Sequence, residues 1–305
     1  MTSPSICLVA ILKDEETFLD EWLVYHRMIG IDHFFLYDDD PQDLLTEFVS
    51  PHNAFCTVIS WHTLSSAVNP ETRMSNQVNA YWHAVENYIR GYDWVVFLDG
   101  DEFIVLKEHQ NIKSFLSGLK GAVSISLNWH IFGHNGYYDD PDDLITVSLT
   151  KRKALPSKNV KTLTRTDAIA GIRNAHFCQL KYGGRIDTNG KPYQEELYQG
   201  KTAVAHINHY QCRSFKNWMG RVKRGDVNFN EQNYPPGGKW RIDEETCLKQ
   251  FVRSVTLDKN EYLDEYMLKY EGIIRKEIHM LNRAVPPSRQ IINQQKTLNG
   301  NSQQS

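Results

Sequence analysis

The chain has 305 residues, of which 41% are hydrophobic, and this is enough for one large core or two small ones. Its formal net charge is -3, so it lacks the basic excess that nucleic-acid-binding proteins use against phosphates, and we expect no nucleic-acid partner. No stretch approaches the roughly 20 apolar residues of a membrane span, so we expect no integral membrane segment, while peripheral membrane contact stays open.

The cysteines indicate the compartment. The five are Cys7, Cys56, Cys178, Cys212 and Cys247. Their number is odd and no pair has metal-ligand spacing, so reduced and mostly buried thiols are the default interpretation. The residues before the first apolar run carry no basic segment of the kind that opens a signal peptide. These features favour a cytoplasmic protein.

Strand and helix patterns alternate over the first hundred residues. Strands are predicted at residues 6–12, 31–37, 55–60 and 94–98, with helices at 18–29 and 78–89. The run Ile6-Cys7-Leu8-Val9-Ala10-Ile11-Leu12 is apolar throughout, as in a strand that is buried on both faces. The alternation predicts an α/β fold with a doubly wound, mostly parallel sheet and helices on both faces.

The second half of the chain is more mixed. Helices are predicted at 112–119, 215–224 and 257–281, and strands at 122–129, 144–149, 160–164, 177–180 and 203–207. Residues 286–305 are rich in Gln, Asn and Ser and are predicted to be a disordered tail. No linker divides the remainder, so we expect a single domain over residues 1–285.

The fourth strand ends abruptly in the carboxylates of Asp99, Asp101 and Glu102. Two carboxylates two residues apart in extended chain point the same way, and Gly100 between them lets a ligand approach the backbone. Oxygen ligands of this kind suit Mn²⁺ or Mg²⁺, which in turn bridge phosphates. The alternative is a polar turn, because Asp-Gly is a strong turn signal.

Acidic residues also follow the first two strands. Lys13-Asp14-Glu15 comes after the first and Asp38 ends the second. In open α/β sheets ligands bind at the carboxyl ends of the strands, where such side chains can accept hydrogen bonds from a base or ribose. The alternative is that they cap the following helices and occupy their first turns.

A dense polar cluster lies at residues 206–210. Alternation along a strand puts His206 and Asn208 on one face and His209 on the other. His209, near a strand end, could reach a metal that carboxylates hold. The alternative is a histidine with a purely structural role.

Cations and aromatic side chains supply candidates for substrate contacts. Lys223 and Arg224 could clamp a diphosphate leaving group, although cations at the end of a helix are stabilising in themselves. Arg73 and Lys161 are weaker candidates for the same task. Aromatic faces in the segment from Trp129 to Tyr138 could stack on sugar rings, or the segment could be a plain connection.

In their order along residues 13 to 225, these motifs resemble family 92 (DUF23-like) glycosyltransferases and related family 2-like enzymes. The resemblance rests on Lys13-Asp14-Glu15, Glu21-Trp22, Tyr25-His26, Gly30-Ile31-Asp32-His33-Phe34, Tyr37-Asp38, Asp99-Gly100-Asp101-Glu102-Phe103, Trp129, Phe132-Gly133, Gly136, Val160-Lys161, His176-Phe177, Asn208-His209-Tyr210, Ser214-Phe215 and Lys223-Arg224-Gly225.

The resemblance implies a GT-A fold, with a nucleotide-sugar half over about residues 1–106 and an acceptor half over about 107–285. It implies a divalent metal, usually Mn²⁺, at Asp99 and Asp101, with His209 as a third protein ligand. Asp14, Glu15 and Asp38 would line the base and ribose. Members of the family invert the sugar configuration, and UDP-galactose is the donor that the resemblance implies.

We therefore predict a metal-dependent inverting glycosyltransferase that uses a UDP-sugar and a glycan or other hydroxyl acceptor. Inversion requires a carboxylate base for the acceptor hydroxyl. The candidates are Asp140, Asp187, Glu195 and Glu196, with Asp187 and Glu195 preferred because they lie in the predicted acceptor-side loops. The alternatives are a nucleotidyltransferase with the same Asp pair, and a non-catalytic glycan-binding protein with a degenerate GT-A fold.

Overall fold

The computed structural model of the chain describes residues 3–13, 15–62, 76–193, 202–224, 244–252 and 260–283. The strands are β1 Ile6–Leu12, β2 His33–Asp38, β3 Cys56–Ser60, β4 Trp94–Phe97, β5 Glu102–Leu106, β6 Ser124–Ile131, β7 Lys151–Arg152, β8 Val160–Arg165, β9 Ile169–Ile172, β10 Cys178–Leu180, β11 Arg185–Ile186, β12 Ala205–His209 and β13 Tyr262–Leu263. The helices are α1 Leu19–Met28, α2 Leu45–Phe48, α3 Asn76–Asn87, α4 Ile112–Gly118, α5 Ile145–Ser148, α6 Phe215–Arg224, α7 Glu244–Phe251 and α8 Glu271–Arg283. Short 3-10 helices occupy Glu16–Phe18, Ser50–His52, Ile89–Gly91, Thr166–Ala168 and Tyr266–Tyr270.

One large sheet organises these elements. Its strands lie in the order β3-β2-β1-β4-β8-β6-β12-β5, and β11 pairs with the start of β6. The strands β1 to β4 are mutually parallel, and β12 is parallel to β6. Within this sheet β8 and β5 run against the other strands. The predicted mostly parallel α/β sheet, followed by a mixed second half, is confirmed.

Both faces of β1 are buried because its residues are apolar throughout. Leu8 belongs to a core that also contains Trp22 of α1. Val9 points to the other face, into a second core with Tyr81 of α3. The alternation of side chains along a strand thus gives two hydrophobic layers, and helices cover both faces of the sheet as predicted.

Two sequence-based assignments in the second half are wrong. The predicted strand at 144–149 is the short helix α5, whose first N–H groups are bound by the buried Glu21 carboxylate: Ile145 N lies 2.6 Å and Thr146 N lies 3.1 Å from its oxygens. Burial raises the pKa of Glu21 to about 7, against the effect of these hydrogen bonds. The predicted helix at 257–281 contains β13 and a 3-10 helix before α8 begins at Glu271.

Several expectations stay predictions. The tail 286–305 lies outside the described residues, and the single-domain boundary at residue 285 stays untested. None of the described helices is long and apolar enough to cross a membrane. Cys7, Cys56, Cys178 and Cys212 are buried and reduced, and the side chain of Cys247 lies outside the described part. The cytoplasmic location stays a prediction.

Candidate active site

The carboxyl ends of β1, β2, β4, β6 and β12 meet at one edge of the sheet, because these strands run in the same direction. Glu15, Asp38, Asp99 and His209 all lie at or just beyond such strand ends. The topology therefore brings to one edge residues that are separated by almost 200 positions in the sequence.

Asp101 and His209 face each other at this edge. Both side chains are buried, and Asp101 Oδ1 lies 3.3 Å from His209 Nε2. The Trp129 ring meets the His209 ring edge-on, with centroids 4.4 Å apart, and fixes its plane. His209 Nδ1 is buried and makes no hydrogen bond. The pair presents one hard oxygen and one imidazole nitrogen to the same point.

The described residues do not form a complete metal site by themselves. In the described part of the chain, no three His, Cys, Asp or Glu side chains form a group that could hold a metal ion. Asp101 and His209 are a pair of potential ligands, so a metal here would need further ligands from its substrate.

Asp99 contacts a buried lysine from β8. Lys161 is fully buried, with its Nζ 3.1 Å from Asp99 Oδ1 and 3.5 Å from Glu102 Oε2. Burial lowers the pKa of Lys161, but the nearby Asp99 and Glu102 carboxylates outweigh it and the pKa is raised. Gln77 Nε2 also donates to Asp99 Oδ1, over 2.7 Å. Asp99 is therefore already held by two donors.

Glu102 stands beside this pair as a buried acid. Its Oε2 accepts a hydrogen bond from Asp99 N over 3.0 Å, whereas its Oε1 is buried and makes none. Burial raises the pKa of Glu102 well above its ordinary value, and the neighbouring Asp99 and Asp101 carboxylates add to this despite the opposing Lys161.

The polar residues form a row across four neighbouring strands. His209 of β12 pairs in register with Glu102 of β5, and Trp129 of β6 pairs with Ile207, two residues before His209. Lys161 of β8 pairs with Leu127, two residues before Trp129. Because side chains two residues apart share a face, Lys161, Trp129, His209 and Glu102 line one face of the sheet.

Gly100 lets the acidic turn pack against the end of β1. A Cβ atom at this position would lie 2.8 Å from Leu12 Cδ2 and 3.3 Å from Glu15 Cγ. Glu15 in turn pairs with the buried guanidinium of Arg213, which also lies over the Phe18 ring at 5.0 Å. The Glu15–Arg213 pair ties the segment after β1 to the segment after β12.

A small cleft lies between the ends of β1 and β2. It is lined by Leu12, Lys13, Glu15, Glu16, Asp38 and Leu45. Asp38 already organises the local loop, because its two oxygens accept hydrogen bonds from Asp40 N (3.1 Å) and Leu45 N (3.0 Å). Burial raises its pKa, with these hydrogen bonds acting in the opposite direction.

Other predicted site residues are not brought to this edge or cannot be placed. The buried Asp187 lies in the turn after β11, and its Oδ1 accepts hydrogen bonds from Asn189 N and Lys191 N at 2.8 and 2.9 Å. Ile186 before it pairs with Ile125, six residues from the end of β6, or roughly 20 Å of strand. Outside the described residues lie Asp14, Arg73, Glu195 and Glu196, together with the side chains of Lys223 and Arg224.

Comparison with known proteins decides the family. The model of glycosyltransferase family 92 matches residues 4–249. The chain belongs to glycosyltransferase family 92. This match confirms the predicted family, and the observed sheet confirms the predicted α/β fold.

Curated relatives in family 92 are distant and longer. A family 92 protein of Oryza sativa subsp. japonica is 27% identical over 265 residues, which cover 81% of this chain and 42% of that protein. One of Arabidopsis thaliana is 27% identical over 234 residues, which cover 72% of this chain and 37% of that protein. The chain thus spans less than half the length of these relatives.

Solved structures are more distant still. A glucosyl-3-phosphoglycerate synthase from Mycobacterium tuberculosis, in complex with Mn²⁺, UDP-glucose and phosphoglyceric acid, is 14% identical. The alignment covers 54% of this chain and 58% of that chain, with a TM-score of 0.33. At this distance the similarity supports no statement about the ligands of this chain.

In this family 92 chain, the segments that leave β6 and β12 meet again beyond the edge of the sheet. Phe215 N and Lys216 N donate to the carbonyls of Tyr137 and Tyr138 over 3.2 and 2.9 Å. The Tyr138 side chain is 66% exposed, yet its ring stacks on Phe215 with centroids 5.3 Å apart. The result is an exposed aromatic surface in a fixed orientation.

Asp140 lies at the end of the same segment. Its Oδ2 accepts a hydrogen bond from Asn217 Nδ2 over 3.2 Å, whereas its Oδ1 is buried and makes none. A buried carboxylate oxygen without a partner is costly unless another group approaches it. Asp140 is therefore a carboxylate with unused hydrogen-bonding capacity next to the exposed tyrosines.

Gln77 and Arg213 are site residues that sequence reasoning missed. Gln77 is buried and lies one helical turn before Tyr81, whose hydroxyl accepts from Gln77 Nε2 over 2.9 Å. A polar residue in the apolar stripe of a helix was the available signal. Nothing local marks Arg213, because its partner Glu15 is distant in sequence.

Proposed function

We propose that this chain is a metal-dependent inverting glycosyltransferase that moves a sugar from a UDP-sugar, with UDP-galactose first among the candidates, to a hydroxyl group of a glycan or other acceptor. The observation that carries the proposal is the buried Asp101–His209 pair, 3.3 Å apart at the carboxyl edge of the sheet of a family 92 chain. Ligands bind at this edge in open α/β sheets.

Asp101 and His209 would hold a Mn²⁺ or Mg²⁺ ion, and diphosphate oxygens of the donor would complete its shell. Such an ion would neutralise the charge that develops on the leaving diphosphate. Asp99 was predicted as a metal ligand too. Since Lys161 and Gln77 already occupy its Oδ1, we assign it instead to a donor hydroxyl group such as that of the ribose.

The cleft beside Lys13, Glu15 and Asp38 is the proposed position of the base and ribose. Asp14 remains part of this proposal, although it lies outside the described residues. Arg73, Lys223 and Arg224 remain the proposed cations for the diphosphate. The ammonium of Lys161 is engaged with carboxylates, so its proposed role shifts from the diphosphate to the orientation of Asp99.

We place the acceptor next to the exposed tyrosines. The ring of Tyr138, held by Phe215, offers an apolar face to a sugar, and Trp129 borders the Asp101–His209 pair. Asp140 is our first candidate for the base, because its free Oδ1 could accept the proton of an acceptor hydroxyl. Asp187 is a weaker candidate because it lies away from this edge, whereas Glu195 stays a candidate outside the described residues. Single Asp→Asn and Glu→Gln variants separate the three.

The test uses the full chain with UDP-sugars, Mn²⁺ and a panel of glycan acceptors. We expect release of UDP and a product whose new linkage has the opposite anomeric configuration to the donor, as NMR would report. Release of pyrophosphate from a nucleoside triphosphate would instead identify a nucleotidyltransferase. Carbohydrate binding with no affinity for UDP and Mn²⁺ would identify a glycan-binding protein, and either result overturns the proposal.

A further inference from the structure

The strand that follows the acidic turn has an unusual outer edge. β5 is the last strand in the order of the described sheet and pairs with β12 on one side. In an antiparallel pair, every second residue forms backbone hydrogen bonds to the partner strand. At the start of β5, Asp101 O accepts a hydrogen bond from Tyr210 N (2.9 Å), and at its end Lys107 N donates to Val204 O (2.9 Å). The backbone groups of Glu102, Ile104 and Leu106 therefore face away from β12.

Side chains, rather than another strand, bind these outward groups. Trp22 Nε1 donates to Glu102 O over 2.8 Å, and the Tyr25 hydroxyl donates to Ile104 O over 2.7 Å. At the far end of the strand, the Tyr266 hydroxyl donates to Leu106 O over 2.7 Å. Three consecutive outward carbonyls of β5 thus each have a hydroxyl or indole donor.

His26 completes the set. The N–H of Ile104 donates to His26 Nε2 over 3.3 Å, so this nitrogen carries no proton. Its Nδ1 therefore bears the proton and donates to Trp22 O over 2.8 Å. Burial lowers the pKa of His26 to about 3, in agreement with a neutral ring.

Helical spacing explains why one helix can do this. Trp22, Tyr25 and His26 are three and four residues apart, so they project from one face of α1, and all three are fully buried. Their bonds to β5 cross 78 to 80 positions of sequence. The Trp22 bond is the one nearest the acidic turn, because Glu102 directly follows Asp101.

We propose that Trp22 is a positioning residue for the metal ligand Asp101, acting through the backbone of Glu102. The inference rests on the proposed function, in which Asp101 and His209 hold the metal. The Asp101 carboxylate can face His209 only if the start of β5 stays in register, and the indole N–H fixes the carbonyl of the next residue. A metal site with only two protein ligands depends more on groups that hold those ligands in place than a site with a full set of protein ligands does.

The experiment compares two ends of the same strand. Trp22→Phe removes the donor beside Asp101, and Tyr266→Phe removes the donor at Leu106, four residues farther along β5. The affinity of the full chain for Mn²⁺ in the presence of UDP is measured by the electron paramagnetic resonance of free Mn²⁺, and melting temperatures are recorded in parallel.

We expect both variants to lower the melting temperature, but only Trp22→Phe to weaken Mn²⁺ affinity, by about tenfold, which is the size of effect seen when groups that support metal ligands are removed. As a second variant, Trp22 replaced by 3-benzothienylalanine keeps the shape of the ring and lacks the N–H. It should show the same loss even if the phenylalanine variant does not fold.

Two results would overturn the role of Trp22. In one, neither replacement of Trp22 changes Mn²⁺ affinity while the wild-type chain binds Mn²⁺ with UDP. In the other, Tyr266→Phe weakens the affinity as much as Trp22→Phe does, which indicates general loss of stability. If the wild-type chain does not bind Mn²⁺ with UDP at all, the proposed function falls, and the positioning role falls with it.

Discussion

The two halves of the large sheet bury different kinds of side chain. β1 and β4 have the sequences Ile-Cys-Leu-Val-Ala-Ile-Leu and Trp-Val-Val-Phe, and their residues are almost all buried. The strands β6, β8 and β12 are just as buried, yet they contain Ser124, Ser126, Asn128, His130, Lys161, Thr162, Thr164, His206, Asn208 and His209. The first half is apolar on both faces, whereas the second half buries polar side chains beside apolar ones such as Leu127, Leu163 and Ile207.

At several positions in the second half, buried polar side chains form hydrogen bonds with one another. Ser124 and Thr164 share a hydrogen bond of 2.9 Å, and His206 Nε2 lies 3.0 Å from Asn208 Oδ1. Lys161 and His209 of these strands also line one row with Glu102 of the neighbouring β5. The parallel half therefore supplies an apolar frame, whereas the mixed half buries polar groups that can do chemistry.

The largest effect that would test this division is expected at Asp101. Asp101→Asn should lower glycosyl transfer by about 10² to 10³-fold, because a charged ligand at the diphosphate is lost. The melting temperature should not fall, since one of three neighbouring carboxylates is neutralised. Asp93→Asn, at the other end of β4, is the matched control and should retain activity. Full activity in Asp101→Asn would remove the metal role of this residue.

A second prediction concerns stability in the two halves. Leu36 is fully buried in β2, so Leu36→Ala should lower the free energy of unfolding by about 2–5 kcal/mol. Ser126 is as buried in β6, but its Oγ makes no hydrogen bond, so Ser126→Ala should change the free energy by less than about 0.5 kcal/mol or raise it. Urea unfolding measures both. Equal losses would contradict the contrast between the two interiors.

The third prediction separates the two faces of β12. His209→Gln should weaken Mn²⁺ affinity about 10- to 100-fold, because a proposed ligand is lost. His206→Gln lies on the opposite face and loses its bond to Asn208, so it should lower stability and leave Mn²⁺ affinity unchanged. Calorimetric titration with Mn²⁺ and UDP distinguishes the two. Equal effects on metal binding would place the metal elsewhere.

The smallest effect is expected in the pH dependence of stability. The pKa of His26 is about 3 in the folded chain and has an ordinary value of 6.5. As pH falls below 6.5, the unfolded chain binds a proton at His26 and the folded chain does not, so the free energy of unfolding decreases. The decrease is about 2 kcal/mol at pH 5 and continues until about pH 3. In His26→Gln the decline between pH 7 and 5 should be smaller by that amount, as urea unfolding at the two pH values would report. A decline of the same size in both proteins would exclude His26 as its source.

The parallel half of the fold was predictable because its signals are local. An apolar run such as residues 6–12, followed by a helical pattern, specifies a buried strand and its helix without distant information. The strand predicted at 144–149 failed for the opposite reason. The helix α5 depends on a hydrogen bond from Ile145 N to Glu21, 124 positions away, and no local pattern contains that partner.

The site was predictable in part. The sequence and the family resemblance placed Asp101 and His209 near each other, and the structure puts them 3.3 Å apart. Local patterns could not reveal that Lys161 would hold Asp99, since β8 enters the sheet beside β4 by a crossover. The Glu15–Arg213 pair spans 198 positions and was equally inaccessible.

The side chains along β5 also affect how the protein behaves in solution. An open strand edge is a template on which a strand from another molecule can add, and this is a common route to aggregation. At β5 the outward carbonyls of Glu102, Ile104 and Leu106 are already hydrogen-bonded to Trp22, Tyr25 and Tyr266. A strand from a second molecule would find these acceptors occupied. In the described part of the chain the sheet thus ends at β5 without the proline-rich edge that many proteins use for the same purpose.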